Sequence, residues 1–398
     1  MSVIAWPGAA HVAPAWHDVQ RVLAVRLDNL GDVLMTTPAL AALRRGLPHA
    51  HIALLASPAA AALAPHLGMV DEVIPFDAPW VRSRTSDAVG TIADAAARER
   101  EDIALLAARR FDAAVIFTVC TQSALPAALL ARWAGIGLRL AHARENPYRL
   151  LTHGVRDNER IGDAMRHEVQ RQLDLVASVG FTLPLRDDGL RFRRRAEDDA
   201  ALLSRLARAG IEDDERLVVV HPGSTAESRR WPAERFGRCA AQVARQSRSR
   251  VVFVGGAADA QAVRDAAVHA PGAACFVDEL NLGELAALLA RAAVVLCNNS
   301  APAHLAAAVG APVVVAYALT NPQHTPWRAR SRVLYHDVAC RWCLASRCPH
   351  GHQRCLQGVP ADDMTRAALD LMREEQSAAR RKREPKAIRP SPLAGGAA

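Results

Sequence analysis

Lysine is almost absent from this chain of 398 residues: only Lys382 and Lys386 occur, and arginine supplies the rest of the basic side chains. So general a bias reflects a GC-rich coding sequence, and it lowers the weight any one arginine carries as a functional signal. Aromatic residues make up 5% and show no stacking motif, which places nucleic acid last among partners. No apolar run of membrane-spanning length is free of Gly, Pro or charge; the longest, 305–319, is broken by Gly310 and Pro312. The first eighteen residues lack a basic segment followed by an apolar one, so a signal peptide is not expected and a cytoplasmic location is. Also missing are a GxGxxG fingerprint with a downstream acid, a Walker A sequence, a GxSxG elbow and an HExxH pair. These gaps argue against nicotinamide dehydrogenases, P-loop NTPases, α/β-hydrolases and zincin proteases. No acidic DxD pair is placed to hold a divalent ion at a diphosphate.

What is present describes an ordinary globular protein, with 51% hydrophobic and 23% charged residues and a formal net charge of +8. Its length predicts two domains. The positive balance suits an acidic partner such as a phosphorylated lipid or an anionic membrane surface.

The chain opens with an extension over 1–20. A strand is expected at 22–27, a turn at 28–32, a helix over 35–47 and strands at 51–56 and 70–76. This order begins a doubly wound parallel sheet. A helix over 82–110, a strand at 111–119, a helix at 124–133 and a strand at 137–141 follow, with 144–164 expected as loop and 167–179 as helix. A change to irregular, charged sequence at 184–198 marks a domain boundary. The layout then repeats: helix 197–209, strand 217–220, a helix from Pro232, strand 251–254, a short strand at 276–277, helix 282–291, strand 293–297, a helix after Ser300, and strand 313–317. The expected domains are 21–190 and 196–373, with a basic, Pro/Gly-rich tail over 374–398 read as disordered. Two Rossmann-like units of this kind place a ligand cleft at the carboxyl ends of their strands.

Four stretches carry chemistry. The run 298–312, NNSAPAHLAAAVGAP, passes from a buried strand into a helix with Ser300 at the N-cap and Pro302 in the first turn. With Ala301 and Ala303 small, the amides of that turn are open to an anion such as a diphosphate. An ordinary strand-to-helix turn is the competing reading. Asp32, in a Gly-Asp turn after the first strand, has the type and place of a general base, and equally those of a helix cap. Asp28 is a weaker version of the same idea. In HPGST at 221–225, Ser224 and Thr225 offer hydroxyls and amides to phosphate, and Arg229-Arg230 follows with two fixed charges. Gly255-Gly256 ends another strand and could lie against a ribose.

Of eight cysteines, four form Cys340-x2-Cys343-x4-Cys348-x6-Cys355, with His350 and His352 among them. A structural zinc site, an iron–sulfur cluster and reduced packing thiols are the readings of this density. Cys120, Cys239, Cys275 and Cys297 are spaced like core residues.

RLDNLGDVLMTTPAL (26–40), HPGSTAESRRWPAERF (221–236), VVFVGGAAD (251–259) and NNSAPAHLAAAVGAP (298–312), in this order and spacing, resemble glycosyltransferase family 9, the heptosyltransferases of the lipopolysaccharide inner core. The likeness runs from Val22 to about Asp363. It implies a GT-B fold, with the acceptor bound mainly by the first domain and a nucleotide-sugar donor by the second. It matches Asp32 to the family's base, Ser224 and Thr225 to donor-phosphate contacts, and Arg229 to a phosphate-binding lysine. Ser300 and His304 match as they stand, whereas Asn299 replaces the usual Asp and Ala301 the usual Gly. The implied reaction is metal-independent, inverting transfer of heptose from ADP-heptose to an acidic glycolipid acceptor, with peripheral contact at the inner membrane. No cofactor is implied for catalysis. Competing readings are another nucleotide sugar, a protein or different glycan acceptor, a non-catalytic nucleotide-sugar-binding protein, and a sugar epimerase of the same architecture.

Overall fold

The computed structural model describes residues 13–81 and 92–383. The first half contains β1 (Arg21–Arg26), α1 (Leu30–Gly46), β2 (His51–Ala56), β3 (Glu72–Pro75), α2 (Ile92–Ala108), β4 (Ala113–Ile116), α3 (Leu125–Trp133), β5 (Leu138–Ala143), β6 (His153–Arg156) and α4 (Glu168–Ala177). The second contains α5 (Ala196–Arg208), β7 (Leu217–His221), α6 (Ala233–Ser247), β8 (Arg250–Gly255), α7 (Ala260–Ala267), β9 (Ala274–Val277), α8 (Leu282–Arg291), β10 (Ala292–Asn298), α9 (Ala301–Ala308), β11 (Val313–Ala316), β12 (Ser331–Leu334), α10 (Arg354–Gln357) and α11 (Ala361–Arg383). Each half builds one six-stranded sheet, in the orders β3-β2-β1-β4-β5-β6 and β12-β11-β10-β7-β8-β9. Every pairing is parallel.

Strands such as Leu217–His221 and Val313–Ala316 are buried residue by residue because helices cover both faces of each sheet. The order reverses between β1 and β4 in one sheet and between β7 and β10 in the other. Those switch points leave crevices at the strand ends where ligands bind in open α/β sheets. One apolar cluster runs through both halves, from Leu34, Leu40 and Leu43 of α1 to Leu288 and Leu289 of α8 and Leu305 of α9.

Two local solutions bring the halves together. Pro38 has no N–H for the carbonyl of Leu34, four residues earlier. The Thr37 hydroxyl donates to that carbonyl (2.6 Å), and its oxygen accepts the N–H of Arg191 (2.9 Å) from the segment joining the halves. A Cβ on Gly31 would lie 3.1 Å from the His304 ring and 3.5 Å from the Ala301 Cα. The first turns of α1 and α9 therefore meet closely at Gly31, where even a Cβ would press on the His304 ring.

Several expectations need correction. Helix α1 starts at Leu30, not 35, because Asn29 takes the N-cap position and the supposed turn residues 30–32 form the first helical turn. The stretch 144–164 contains the edge strand β6, whose half-polar pattern is that of a strand covered on one side. Residues 13–20 are packed: Trp16 is fully buried, edge-on to Phe181 (ring centroids 5.8 Å), and the Ala13 N–H donates to Val179 O (3.0 Å). Helix α11 continues to Arg383, so residues 374–383 of the expected disordered tail are helical, while 384–398 lie outside the described residues. Of the helix expected over 82–110, residues 82–91 also lie outside them. Cys275 is exposed rather than part of the core.

Candidate functional site

The N-terminal wall of the cleft is built on Arg26, the last residue of β1. Its side chain is fully buried and surrounded by three carboxylates. Nε lies 2.9 Å from Asp28 Oδ2, Nη1 2.9 Å from Glu168 Oε1 and Nη2 3.4 Å from Asp32 Oδ1. One guanidinium cannot balance three carboxylates in a medium of low dielectric, so their proton affinities diverge. Burial pushes Asp32 above the ordinary carboxylate range, against the pull of Arg26, the Asn29 N–H and Arg229. Burial raises Asp28 likewise, with Arg26 and a hydrogen bond from Gln122 opposing it. Glu168, although equally buried, is held below its usual range by Arg26, His324, Arg171 and the amide of Gln172.

The two aspartates then differ in availability. Asp28 uses both oxygens inside its own half, accepting from Gln122 Nε2 at 2.6 Å and pairing with Arg26. Asp32 accepts the Asn29 N–H at 3.1 Å and keeps 13% of its side chain exposed to the cleft. It is both helix-capping residue and candidate base, since the second oxygen makes only the longer 3.4 Å contact. Beside Asp28 a cavity of about 280 Å³ is lined by Trp80, Phe117, Gln122 and Ser123 at the ends of β1 and β4.

The C-terminal wall is cationic. After β7 the HPGST turn leads into a single helical turn, Glu227–Arg229. Arg230 turns back, donating to Ser224 O (2.7 Å) and Thr225 O (3.5 Å), so it holds the turn together. Arg229 makes no such contact to the turn's carbonyls among the described residues. Its buried Nε has no hydrogen-bond partner among the described residues, and its charge acts on Asp32, His304 and His324. Ser224 is buried and Thr225 exposed.

Ser300 occupies the N-cap position, but its hydroxyl donates to Asn298 O (3.4 Å) and no side chain caps α9. The two asparagines before it are fasteners. Asn298 accepts from the Trp231 N–H (3.0 Å) and donates to Pro222 O (2.8 Å) and Gly223 O (3.1 Å); Asn299 Oδ1 accepts the Ala318 N–H (3.1 Å). His304 is 5% exposed, and its Nδ1 has no partner among the described residues. Burial, then the charges of His324, His167 and Arg229, drop its pKa to about 3, so the ring is neutral at pH 7.

Gly255 and Gly256, at the end of β8, pack against Asp259. A Cβ on Gly255 would come 2.8 Å from the Cβ of Asp259, and one on Gly223 would overlap the Asp259 carboxylate. Asp259 accepts the Gly256 N–H (3.2 Å) and sits 3.5 Å from His221 Nε2. Gly255 is thus required by the packing of Asp259, and Asp259 ties the HPGS turn to the exit of β8.

Sequence reading missed Arg26, Glu168 and two histidines. An arginine inside the strand pattern RVLAVRL was the available signal for Arg26, since a buried charge must be paired. Glu168 and His167 begin α4, 142 residues from Arg26, and no spacing rule joins them. His167 accepts the Val169 N–H with Nδ1 (3.1 Å) and donates from Nε2 to Thr325 O (2.8 Å), linking the halves. His324 has an enclosed Nε2 without a partner among the described residues; burial and the charges of Arg229 and Arg26 lower its pKa to about 4.

The four clustered cysteines, with His350 and His352, line one small cavity beside Ser228 and Thr320. Burial raises the Cys355 thiol, with Cys343 and Cys348 adding to it. Cys348 is lowered: burial opposes this, but the backbone N–H groups of Gln353, His350, His352 and Gly351 outweigh it.

Two facing parallel sheets, with an acidic wall on one and a cationic wall at the strand ends of the other, define a protein of GT-B architecture. A model described as glycosyltransferase family 9 (heptosyltransferase) matches residues 103–353, and the chain belongs to that family. Lipooligosaccharide heptosyltransferase 2 of Campylobacter jejuni is 23% identical over 173 residues, 41% of this chain and 53% of that protein, so the match spans about half of that relative. A family 9 glycosyltransferase of Veillonella parvula superposes with a TM-score of 0.72 at 22% identity, covering 92% of this chain and 99% of the other. The ADP-heptose lipopolysaccharide heptosyltransferase II of E. coli gives 0.67 at 20%, over 89% and 99%. No helix among the described residues is long and apolar enough to cross a membrane.

Proposed function

We propose that this protein transfers heptose from ADP-heptose to a hydroxyl of a lipopolysaccharide inner-core acceptor, with inversion at the anomeric carbon. The observation that carries the reading is that Asp32, its proton affinity raised by burial, lies in the field of the Arg229 charge from the other half, with Arg229 Nε unpartnered among the described residues. A carboxylate whose proton affinity is raised is a better base toward a sugar hydroxyl. Asp32 takes the acceptor proton as the hydroxyl oxygen bonds to the anomeric carbon and the bond to the diphosphate breaks on the opposite face. Arg229 and the amide end of α9 take up the charge that develops on the departing diphosphate, so the proposal assigns this task to the chain's own groups rather than a divalent metal. His304 and His324, neutral and each with an enclosed ring nitrogen unpartnered among the described residues, offer hydrogen bonds to sugar or phosphate oxygens. The cavity beside Asp28 and Trp80 suits an acceptor sugar, with an aromatic face for its C–H surface and Asp28, Gln122 and Ser123 for its hydroxyls. A lipid-borne acceptor brings the protein to a membrane surface, and its net positive charge suits an anionic one.

Calorimetry with ADP, GDP and UDP tests the donor site. ADP is expected to bind selectively, and Arg229→Ala to weaken it by roughly tenfold or more, as loss of a charge-assisted contact does. Preference for UDP or GDP would remove the ADP-heptose assignment. Asp32→Asn is expected to lower kcat by about 10²- to 10⁴-fold, the range of general-base contributions, while the ADP Kd moves little. Unchanged transfer by this variant would show that Asp32 is a helix cap alone.

A further inference from the structure

We infer that Cys340, Cys343, Cys348 and Cys355 form a closed tetrathiolate site for one divalent metal ion of zinc type, and that this site braces the turn carrying Arg229. Nothing in the transfer reaction uses these residues.

The four cysteines come from a stretch of sixteen residues and line a single cavity. Its volume, about 20 Å³, is close to what one water-sized sphere needs. That is the scale of a single ion. Three non-glycine residues here, Trp342 (φ 65°), Leu344 (φ 53°) and Gln353 (φ 43°), together with Gly351 (φ 67°), adopt the left-handed conformation. Such residues cost on the order of 1–3 kcal/mol each and persist where the surroundings enforce them. In this stretch they alternate with the cysteines and bend the chain around the cavity the cysteines line. Gln353 N–H donates to Cys348 Sγ at 3.4 Å, the kind of outer contact that supports a thiolate ligand. As placed, no three described His, Cys, Asp or Glu side chains converge at metal-bonding distance, and Cys340 Sγ stands 3.9 Å from His352 Nε2. Coordination requires the cysteine side chains to rotate into the cavity they already line, to Zn–S bonds of about 2.3 Å. Any bound protons leave to solvent as the thiols become thiolates.

The stretch is stitched to the donor wall at three places. Ser228, next to Arg229, donates its N–H to Ser346 O (2.9 Å) and its hydroxyl to Ala345 O (2.7 Å). Gln353 Nε2 donates to Glu227 O (3.3 Å). The N–H groups of Trp342 and Leu344 donate to Leu319 O (2.6 Å) and Thr320 O (2.8 Å), in the chain leaving β11. An ion holding the four cysteines together thereby holds the Arg229 turn from behind. This positioning role rests on the donor-site reading above; the metal site does not.

The test is elemental analysis of the tag-free full-length protein, isolated without chelator and again after exposure to Zn²⁺ or Fe²⁺ under reducing conditions. The expected result is about one metal ion per chain, with the four cysteines shielded from a thiol reagent until the ion is stripped. Cys348→Ser should lose the ion, and Cys275→Ser, at the exposed cysteine outside the cluster, should keep it. Less than about a tenth of an equivalent in the wild-type protein under both conditions overturns the site, whatever the variants do. In protein that holds the ion, stripping it should weaken ADP binding several-fold, and unchanged affinity overturns the bracing role. Failure of ADP to bind even the metal-loaded wild type would sink the donor-site reading and leave the metal count standing.

Discussion

At the scale of the residue, the cleft is governed by Arg26. A guanidinium wholly removed from water among three carboxylates is costly to bury and costlier to remove, because each carboxylate left behind loses its compensation. Arg26→Met should destabilise the protein by about 3–5 kcal/mol, the range for breaking a buried pair, read by urea unfolding at pH 8. As the pH is lowered, Asp28 and Asp32, whose proton affinities are raised by burial, take up protons ahead of ordinary carboxylates, and the deficit should shrink. An equal deficit at lower pH would mean that packing, not charge, had been lost. The same imbalance equips Asp32: a carboxylate fully compensated by Arg26 would be a poorer base, and one without Arg26 would hold a proton more tightly still.

At the scale of the element, α1 is the hinge of the design. Its proline sits inside the helix because the neighbouring threonine supplies the missing donor and fastens the second half of the chain to the first. Thr37→Val leaves the Leu34 carbonyl and the Arg191 N–H without that partner, and should cost about 1–3 kcal/mol in thermal or urea unfolding. The α1–α9 contact depends on Gly31. Gly31→Val places methyl groups where the His304 ring and Ala301 lie, an overpacking worth roughly 1–3 kcal/mol. The larger effect is expected on function. The two helix starts must separate, and transfer activity should fall more than the loss of folding stability explains. A variant with full kcat would show that this contact is not part of the working geometry.

At the scale of the molecule, three neutral imidazoles at the interface, His304 buried and His167 and His324 half-buried, make the fold acid-sensitive. Burial lowers His304 to about 3 and His324 and His167 to about 4, from about 6.5. The unfolded chain takes up these protons below pH 6.5 and the folded chain does not. Their contribution is therefore complete above pH 6.5 and is lost as pH falls toward 4. Near pH 5 the expected uptake on unfolding is about one proton per histidine, or roughly 1.4 kcal/mol per pH unit for each. Asp28 and Asp32 oppose this, since raised carboxylates hold protons in the fold that unfolding releases. Unfolding free energies measured from pH 7.5 to 4.5 should fall in wild type and fall less in His304→Gln. A flat profile would show that the rings are solvated.

Regular elements were legible in the sequence where periodicity is strong. The strands at 51–56, 217–220, 251–254 and 313–317 and the helices at 124–133 and 282–291 stand within a residue or two of expectation, because strands covered on both faces must be apolar throughout. Weakly patterned β6, packed residues 13–20 and the helical start of the tail were not legible, since their order comes from what they touch. The motifs likewise marked the loops of the site without assigning each residue its task. Asn299 and Gly255, read as donor contacts, also serve backbone fastening and packing, while Arg230 and Arg229 look alike until Arg230 is seen turned toward carbonyls and Arg229 Nε without a partner among the described residues.

By itself, then, the sequence determined the class of fold, the two-part organisation and the family, because hydrophobic period and local turn chemistry are properties of neighbouring residues. Only the tertiary structure decided which charges meet. Arg26 and Glu168 are 142 residues apart, and the charge of Arg229, in the second half of the chain, acts on Asp32 in the first. The proton affinities that make the cleft chemically useful arise from burial and from those long-range encounters, neither of which exists until the two halves close on each other.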